Sequence, residues 1–274
     1  MRCGRRLPVK KLGVIHYNFP GYSLPDFLRY ARVTGYGYVE LQIADVWGAE
    51  VEHPEQQAEK VRKEVESFGL QVSALAADND FVVLEEEEVR RQVERMRRIC
   101  GLAKILGTSV IRTEGGRPKD SVPPERWLEA MAGCLLRCRE FIEPEGIYLA
   151  VDNHGLVTND GDLQVELFQR VGSDHVGANL DTMNYRWMGH DLETVNRFYE
   201  IIAPYTFHTH MKDGRGSRSE YVGAALGEGE IDLHYAVKCL KEAGYDGVWC
   251  AEYEGREDPA LGYWKCHEWL RANV

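Results

Sequence analysis

The chain has 274 residues, the size of one α/β barrel of roughly 250 residues, and its 44% hydrophobic and 28% charged content excludes disordered, collagenous and coiled-coil classes. Lys plus Arg number 33 against 44 for Asp plus Glu, giving a net charge of −11, which argues against a nucleic-acid partner because phosphate binding draws on a basic face. The seven cysteines lack a CxxC pair and no apolar window approaches the ~18 residues of a membrane span, so the expectation is a reduced, cytoplasmic protein that does not enter a membrane.

In chain order, short apolar runs rich in β-branched and aromatic residues predict strands over 12–17, 38–43, 71–76, 109–113, 147–152, 176–181, 205–211 and 247–253. Charged amphipathic stretches between them predict helices over 23–34, 54–68, 85–106, 124–142, 163–171, 192–203 and 233–243, with a last one from Pro259. Glycines at helix ends, such as Gly35 and Gly107, mark the turns into the next strands. No linker divides the chain. Eightfold βα alternation predicts one α/β domain over residues 1–274, a closed (β/α)8 TIM barrel, in preference to an open doubly wound sheet. No GxGxxG follows the first strand, which removes the main support for a dinucleotide site. The longest unassigned stretch, 212–230, follows the seventh strand and in a barrel emerges at the catalytic, carboxyl face.

Polar groups fall at the strand ends. The fifth strand closes with VDNHG, the sixth with NLDTMN, the seventh with HTHMKDG and the eighth with AEYEG. Asp152, Asp181, His210 and Glu252 therefore meet at one mouth if the strands close in order. Three carboxylates in a small desolvated site need a compensating cation. One nitrogen and several oxygens, with no thiolate, suit a divalent ion, manganese first, with magnesium, cobalt or zinc as alternatives.

These motifs, with GYVELQ around Glu40, QVSALAADNDF and LGEGEID, make the chain resemble the xylose-isomerase-like sugar phosphate isomerases and epimerases over nearly its whole length. The resemblance implies a TIM barrel with one divalent metal ion held by Asp152, Asp181, His210 and Glu252, acting on a small-molecule carbohydrate, and a homo-oligomer. It further implies that Asp152 and Glu252 serve as acid and base through an enediolate, so that the protein is an isomerase or epimerase of a sugar, sugar phosphate or sugar acid. The usual fifth-strand ligand is Glu, and here it is Asp152, one methylene shorter.

Arg112, His154, Asn184, Lys212 and His16 are the candidate substrate-binding groups, with Arg112 pairing with Glu114 and His16 packing in the core as the structural alternatives. His208, Glu40, Asn153 and Asp213 are candidate supports of the site, Glu228 is a weaker ligand candidate, and 214–218 is a candidate phosphate loop. A dehydratase or keto-sugar-enolising lyase shares the enolate and diverges after it. A non-catalytic barrel subunit is a third reading. An endonuclease IV-like nuclease is a fourth, but it needs histidines at the second to fourth strand ends, which read VELQIADVWG, SALAADNDF and VIRTEGGRP.

Overall fold

The protein is described by a computed structural model covering residues 10–19 and 21–274. Barrel strands β1 (Leu12–Ile15), β2 (Tyr38–Gln42), β3 (Gln71–Ala76), β4 (Val110–Thr113), β5 (Tyr148–Asp152), β6 (Val176–Asp181) and β7 (Thr206–Met211) are followed by a small antiparallel hairpin, β8 (Asp213–Arg215) and β9 (Val222–Ala224), before the last barrel strand, β10 (Trp249–Ala251). The barrel closes in the order β1-β2-β3-β4-β5-β6-β7-β10, and every neighbouring pair within it is parallel. The expected eight-stranded (β/α)8 barrel is therefore the observed fold.

The helices are α1 (Leu24–Thr34), α2 (Ile43–Trp47), α3 (Pro54–Ser67), α4 (Glu86–Leu106), α5 (Trp127–Glu145), α6 (Gly161–Val171), α7 (Asn184–Met188), α8 (Leu192–Ile202), α9 (Leu233–Glu242) and α10 (Pro259–Asn273). Local chemistry sets their limits. Asp160, Asp191 and Asp232 accept from Leu163, Thr194 and Tyr235 N–H groups at the starts of α6, α8 and α9. Gly35 and Gly107 close α1 and α4 with φ of 107° and 84°, the left-handed backbone that a side chain resists.

Two short helices and the hairpin depart from the expected pattern. α2 and α7 are five residues each, too short for a 3.6-residue period to show. The 212–230 stretch folds on Asp213, whose carboxylate accepts the N–H groups of Gly214, Gly227, Gly229 and Ile231 at 2.8–3.3 Å. At Gly229 a Cβ would stand 1.9 Å from the Asp213 carboxylate, so only glycine admits this approach.

Alternate residues of each strand point inward, which aims His208 and His210, and likewise Asn179 and Asp181, at the barrel axis. The β6–β7 register shifts between Ala178 and Asn179 and brings Asp181 level with His210, an irregularity that re-aims side chains next to a site. The C-terminal α10 buries Tyr263, Cys266, His267 and Leu270 and leaves Trp264 half exposed. All six cysteines among the described residues are free and buried, whereas Cys3 lies outside those residues. No helix among them is long and apolar enough to cross a membrane.

Candidate metal and sugar site

At the carboxyl mouth β6, β7 and β10 bring Asp181, His210 and Glu252 together, with one potential ligand atom from each within 4.8 Å of the others. Asp181 is braced before any ligand arrives. Its N–H donates to Asn153 Oδ1 at 2.8 Å, and its Oδ1 accepts the Met183 and Asn184 N–H groups, each at 2.8 Å. Its Oδ2 is buried without a hydrogen bond. His210 Nε2 is held by Glu40 Oε2 at 2.7 Å. The opposite nitrogen, Nδ1, is also buried without a hydrogen bond, although Glu252 Oε2 lies 2.9 Å away. These two buried atoms beside the Glu252 carboxylate make a donor set of one nitrogen and several oxygens, which fits a divalent ion once the His210 nitrogen gives up its proton.

Lys212 supplies charge beside this group. Its Nζ lies 3.0 Å from Asp181 Oδ2, 3.0 Å from Glu252 Oε1 and 3.6 Å from Glu254 Oε2. Burial raises the Glu252 carboxyl, but the Lys212 ammonium and the His210 ring outweigh it and hold Glu252 well below the ordinary carboxylate range. Burial pushes Asp181 up to about 7, with Glu252 and Asp152 adding to the rise and Lys212 opposing it. The His210 imidazole is pushed down by burial and raised well above its usual value by Glu40 and Glu252.

The β4–β5 side is arranged differently. Arg112 donates to Glu114 Oε1 at 3.0 Å and makes a charge-paired contact with Asp152 Oδ2, while Asp152 Oδ1 accepts from Asn179 Nδ2 at 2.6 Å. Burial raises Asp152, and Arg112 overrides it to hold the carboxyl below its ordinary value. Both oxygens of Asp152 are thus engaged within the protein. The four expected ligands separate into a convergent three and Asp152, which the guanidinium holds apart.

A cavity of about 650 Å³ opens over both sides, lined among others by Arg112, His154, Glu40, His210, Glu252 and Glu254, a volume suited to a small organic ligand. Of the expected substrate contacts, Arg112 and His154 line it. His16 does not: its Nδ1 is 3.0 Å from Asp45 Oδ1 and its ring stacks on Phe27 at 4.6 Å, because it follows the end of β1 turned towards α1 and α2. Asn184 is buried with its N–H on Asp181, and Lys212 is consumed by the carboxylates; neither lines the cavity.

Other expectations are corrected similarly. Asp213 organises the loop and touches no open site. In the 214–218 segment Gly216 N–H donates to Glu230, Arg215 to the Glu228 carbonyl and Arg218 to the Met188 carbonyl, so these donors make no phosphate cradle. Glu228 pairs with Lys265 at 3.1 Å. Glu40, His208 and Cys250 also approach ligand distance, but His208 Nδ1 meets Asn179 Oδ1 at 2.8 Å and Nε2 meets Ser73 Oγ at 3.2 Å, a closed hydrogen-bond network. Asn179, Ser73 and Asn18, whose Nδ2 lies 3.4 Å from Glu252 Oε1, were not anticipated. The parity of Asn179 with Asp181 was the available signal for the first.

A family profile described as Xylose isomerase-like TIM barrel matches residues 28–273. The chain belongs to this family. A curated relative, an uncharacterized protein of Methanocaldococcus jannaschii, is 26% identical over 146 residues, and the match spans 49% of this chain and 49% of that one. Among solved structures, D-psicose 3-epimerase with D-tagatose from Clostridium cellulolyticum H10 superposes with a TM-score of 0.77 at 11% identity, covering 96% and 99% of the two chains. The IOLI protein with a bound zinc atom superposes with a TM-score of 0.75 at 19% identity, covering 96% of each. At these identities the xylose isomerase-like likeness establishes the barrel.

Proposed function

We propose that this protein is a divalent-metal-dependent enzyme that isomerises a sugar through an enediolate, with Glu252 as the group that moves the proton. The observation that carries the reading is the convergence of Asp181, His210 and Glu252, with a potential ligand atom from each within 4.8 Å of the others, beside a cavity that Glu252 itself lines. The epimerase with D-tagatose and the zinc-bound barrel among its structural neighbours support a sugar substrate and a metal ion for this protein.

Asp181, His210 and Glu252 would hold the ion. When bound it supplies Lewis-acid stabilisation of the developing oxyanion. Glu252, ionised by Lys212 and His210, takes the proton from the carbon beside the carbonyl and returns it to the former carbonyl carbon; the hydroxyl proton passes to the neighbouring oxygen, and no oxidant is needed. Lys212 keeps Glu252 charged until the proton is taken. Arg112 and His154 bind substrate oxygens from the opposite wall. Burial lowers the His154 imidazole despite the nearby Asp152, so it meets a hydroxyl as a neutral partner able to accept or donate.

Isomerisation is favoured over epimerisation by the state of Asp152. Two-faced proton exchange needs a carboxylate on each side of the carbon, and the Asp152 oxygens are bound by Arg112 and Asn179 and do not line the cavity. The test is metal content per chain after loading with manganese, magnesium, cobalt or zinc, followed by deuterium uptake from heavy water into aldoses and ketoses. About one ion per chain, lost in His210→Ala, with deuterium at the carbon beside the carbonyl supports the reading; no ion under any loading condition overturns it.

A further inference from the structure

A second concavity adjoins the cavity just described. It is a groove of about 740 Å³ lined by Tyr17, Asn18, Trp187, Tyr221, Tyr253, Glu254, Gly255 and Pro259. Tyr17 and Glu254 line both spaces, so the two adjoin at these side chains. The groove also reaches close to the proton-transfer carboxylate, because groove residue Asn18 donates to Glu252 Oε1 at 3.4 Å. A molecule whose reacting carbon faces Glu252 and which extends past Tyr17 and Glu254 would enter this groove.

We infer that the groove is a second sugar subsite, and that the substrate is a reducing disaccharide whose reducing-end sugar reacts at Glu252 while its other ring lies against Tyr17 and Trp187. The inference rests on the isomerase reading above. Three observations choose a carbohydrate ring as the occupant. The lining combines aromatic faces with polar groups, the composition that suits a ring carrying C–H faces and hydroxyl edges. Tyr17 is 70% exposed, an aromatic left open to solvent at the junction with the reactive cavity. The wall is also fixed before binding: Tyr221 donates to Glu254 Oε2 at 2.9 Å, Gly223 of β9 bridges to Gly255 beyond β10, and the root of the hairpin is tied to Asp213. A preset aromatic wall binds a rigid ring at little ordering cost.

The experiment compares the rate of deuterium incorporation, as kcat/KM, for maltose, cellobiose and lactose with that for D-glucose and D-fructose in the metal-loaded protein. At least one disaccharide is expected to exceed both monosaccharides by about tenfold, the effect of one or two stacked rings. Trp187→Ala should collapse that ratio mainly through KM, and Trp187→Phe, which keeps a flat face and guards against a folding defect, should retain most of it. Exchange into monosaccharides with no disaccharide preference overturns the subsite and leaves the isomerase reading standing. No exchange into any of the five sugars overturns both. A Trp187→Ala protein that changes its sedimentation mass while keeping the sugar ratio assigns the groove to a second copy of the chain and also overturns the subsite.

Discussion

The two walls of the mouth use charge in opposite ways. On β6, β7 and β10, two carboxylates, an imidazole and an ammonium share a buried space in which Asp181 Oδ2 and His210 Nδ1 have no hydrogen bond. On β4 and β5, Asp152 is satisfied by Arg112 and Asn179, and Arg112 in turn by Glu114. Residues of like type at equivalent strand ends thus become a receptive group on one wall and a closed ion pair on the other. What separates them is whether a guanidinium from the neighbouring strand reaches the carboxylate. Arg112 carries two of its contacts in a rigid fork, whereas Lys212 is a point charge spread over three carboxylates.

The sharpest way to break this contrast is Glu252→Gln, which should lower deuterium exchange into sugar by about 10²–10⁴-fold, the range of a lost general base; comparable exchange in the variant would assign proton transfer elsewhere. Next comes the pH dependence of metal binding. Asp181 is raised to about 7 and His210 well above its usual value, so both bind protons more tightly in the metal-free fold than they would in water. A proton on either competes with the ion, so metal affinity should fall with pH, first through His210 and more steeply below about 7 where Asp181 also takes its proton, by roughly tenfold per unit for each proton released. Calorimetry in buffers of different ionisation enthalpy reads that release directly.

On the closed wall the effect is on stability. Arg112→Met leaves Asp152 a buried carboxylate with only Asn179 beside it and should cost about 3–5 kcal/mol, seen as a lower denaturation midpoint; Asp152→Asn should cost less, because Arg112 keeps Glu114, and the double variant recovers much of the larger loss. Additive losses would show that the pair does not act as a unit. Asp213→Ala removes the acceptor of four backbone N–H groups and should cost about 2–3 kcal/mol, with proteolytic cleavage appearing within 216–226 before the barrel unfolds. The smallest effect belongs to His16→Gln. Because His16 faces Asp45 and Phe27, sugar KM should change less than about twofold, with a stability loss of about 1 kcal/mol.

Much of the fold was legible because each barrel strand is a short apolar run with polar residues at its carboxyl end, and a charged amphipathic stretch of helical period follows nearly every one. That Asp181, His210 and Glu252 meet at one mouth was legible for the same reason: each ends, or nearly ends, such a run. What the sequence hides is reach across strands. Arg112 pairs in register with Ala150, and Asp152 with Asn179, so the Arg112–Asp152 contact runs diagonally between β4 and β5, and no linear spacing encodes it. Which of its two readings His16 follows was hidden because a residue just past a strand end has left the alternation and can turn to either face; here it packs on Asp45 and Phe27. The 212–230 stretch looked structureless because its order comes from one buried carboxylate rather than from a hydrophobic pattern.

That same carboxylate separates what must stay constant from what can vary. The Asp213 knot fixes the root of the loop through backbone N–H groups, which are indifferent to the side chains that follow, while the β8–β9 tip carries Tyr221 and Val222 at the rim. Substitutions or insertions at the tip can reshape the entrance without disturbing the buried charges of the barrel. The architecture thereby uncouples selection for a new substrate from selection for folding, and descendants of this chain can diversify at the rim while inheriting the chemistry below it.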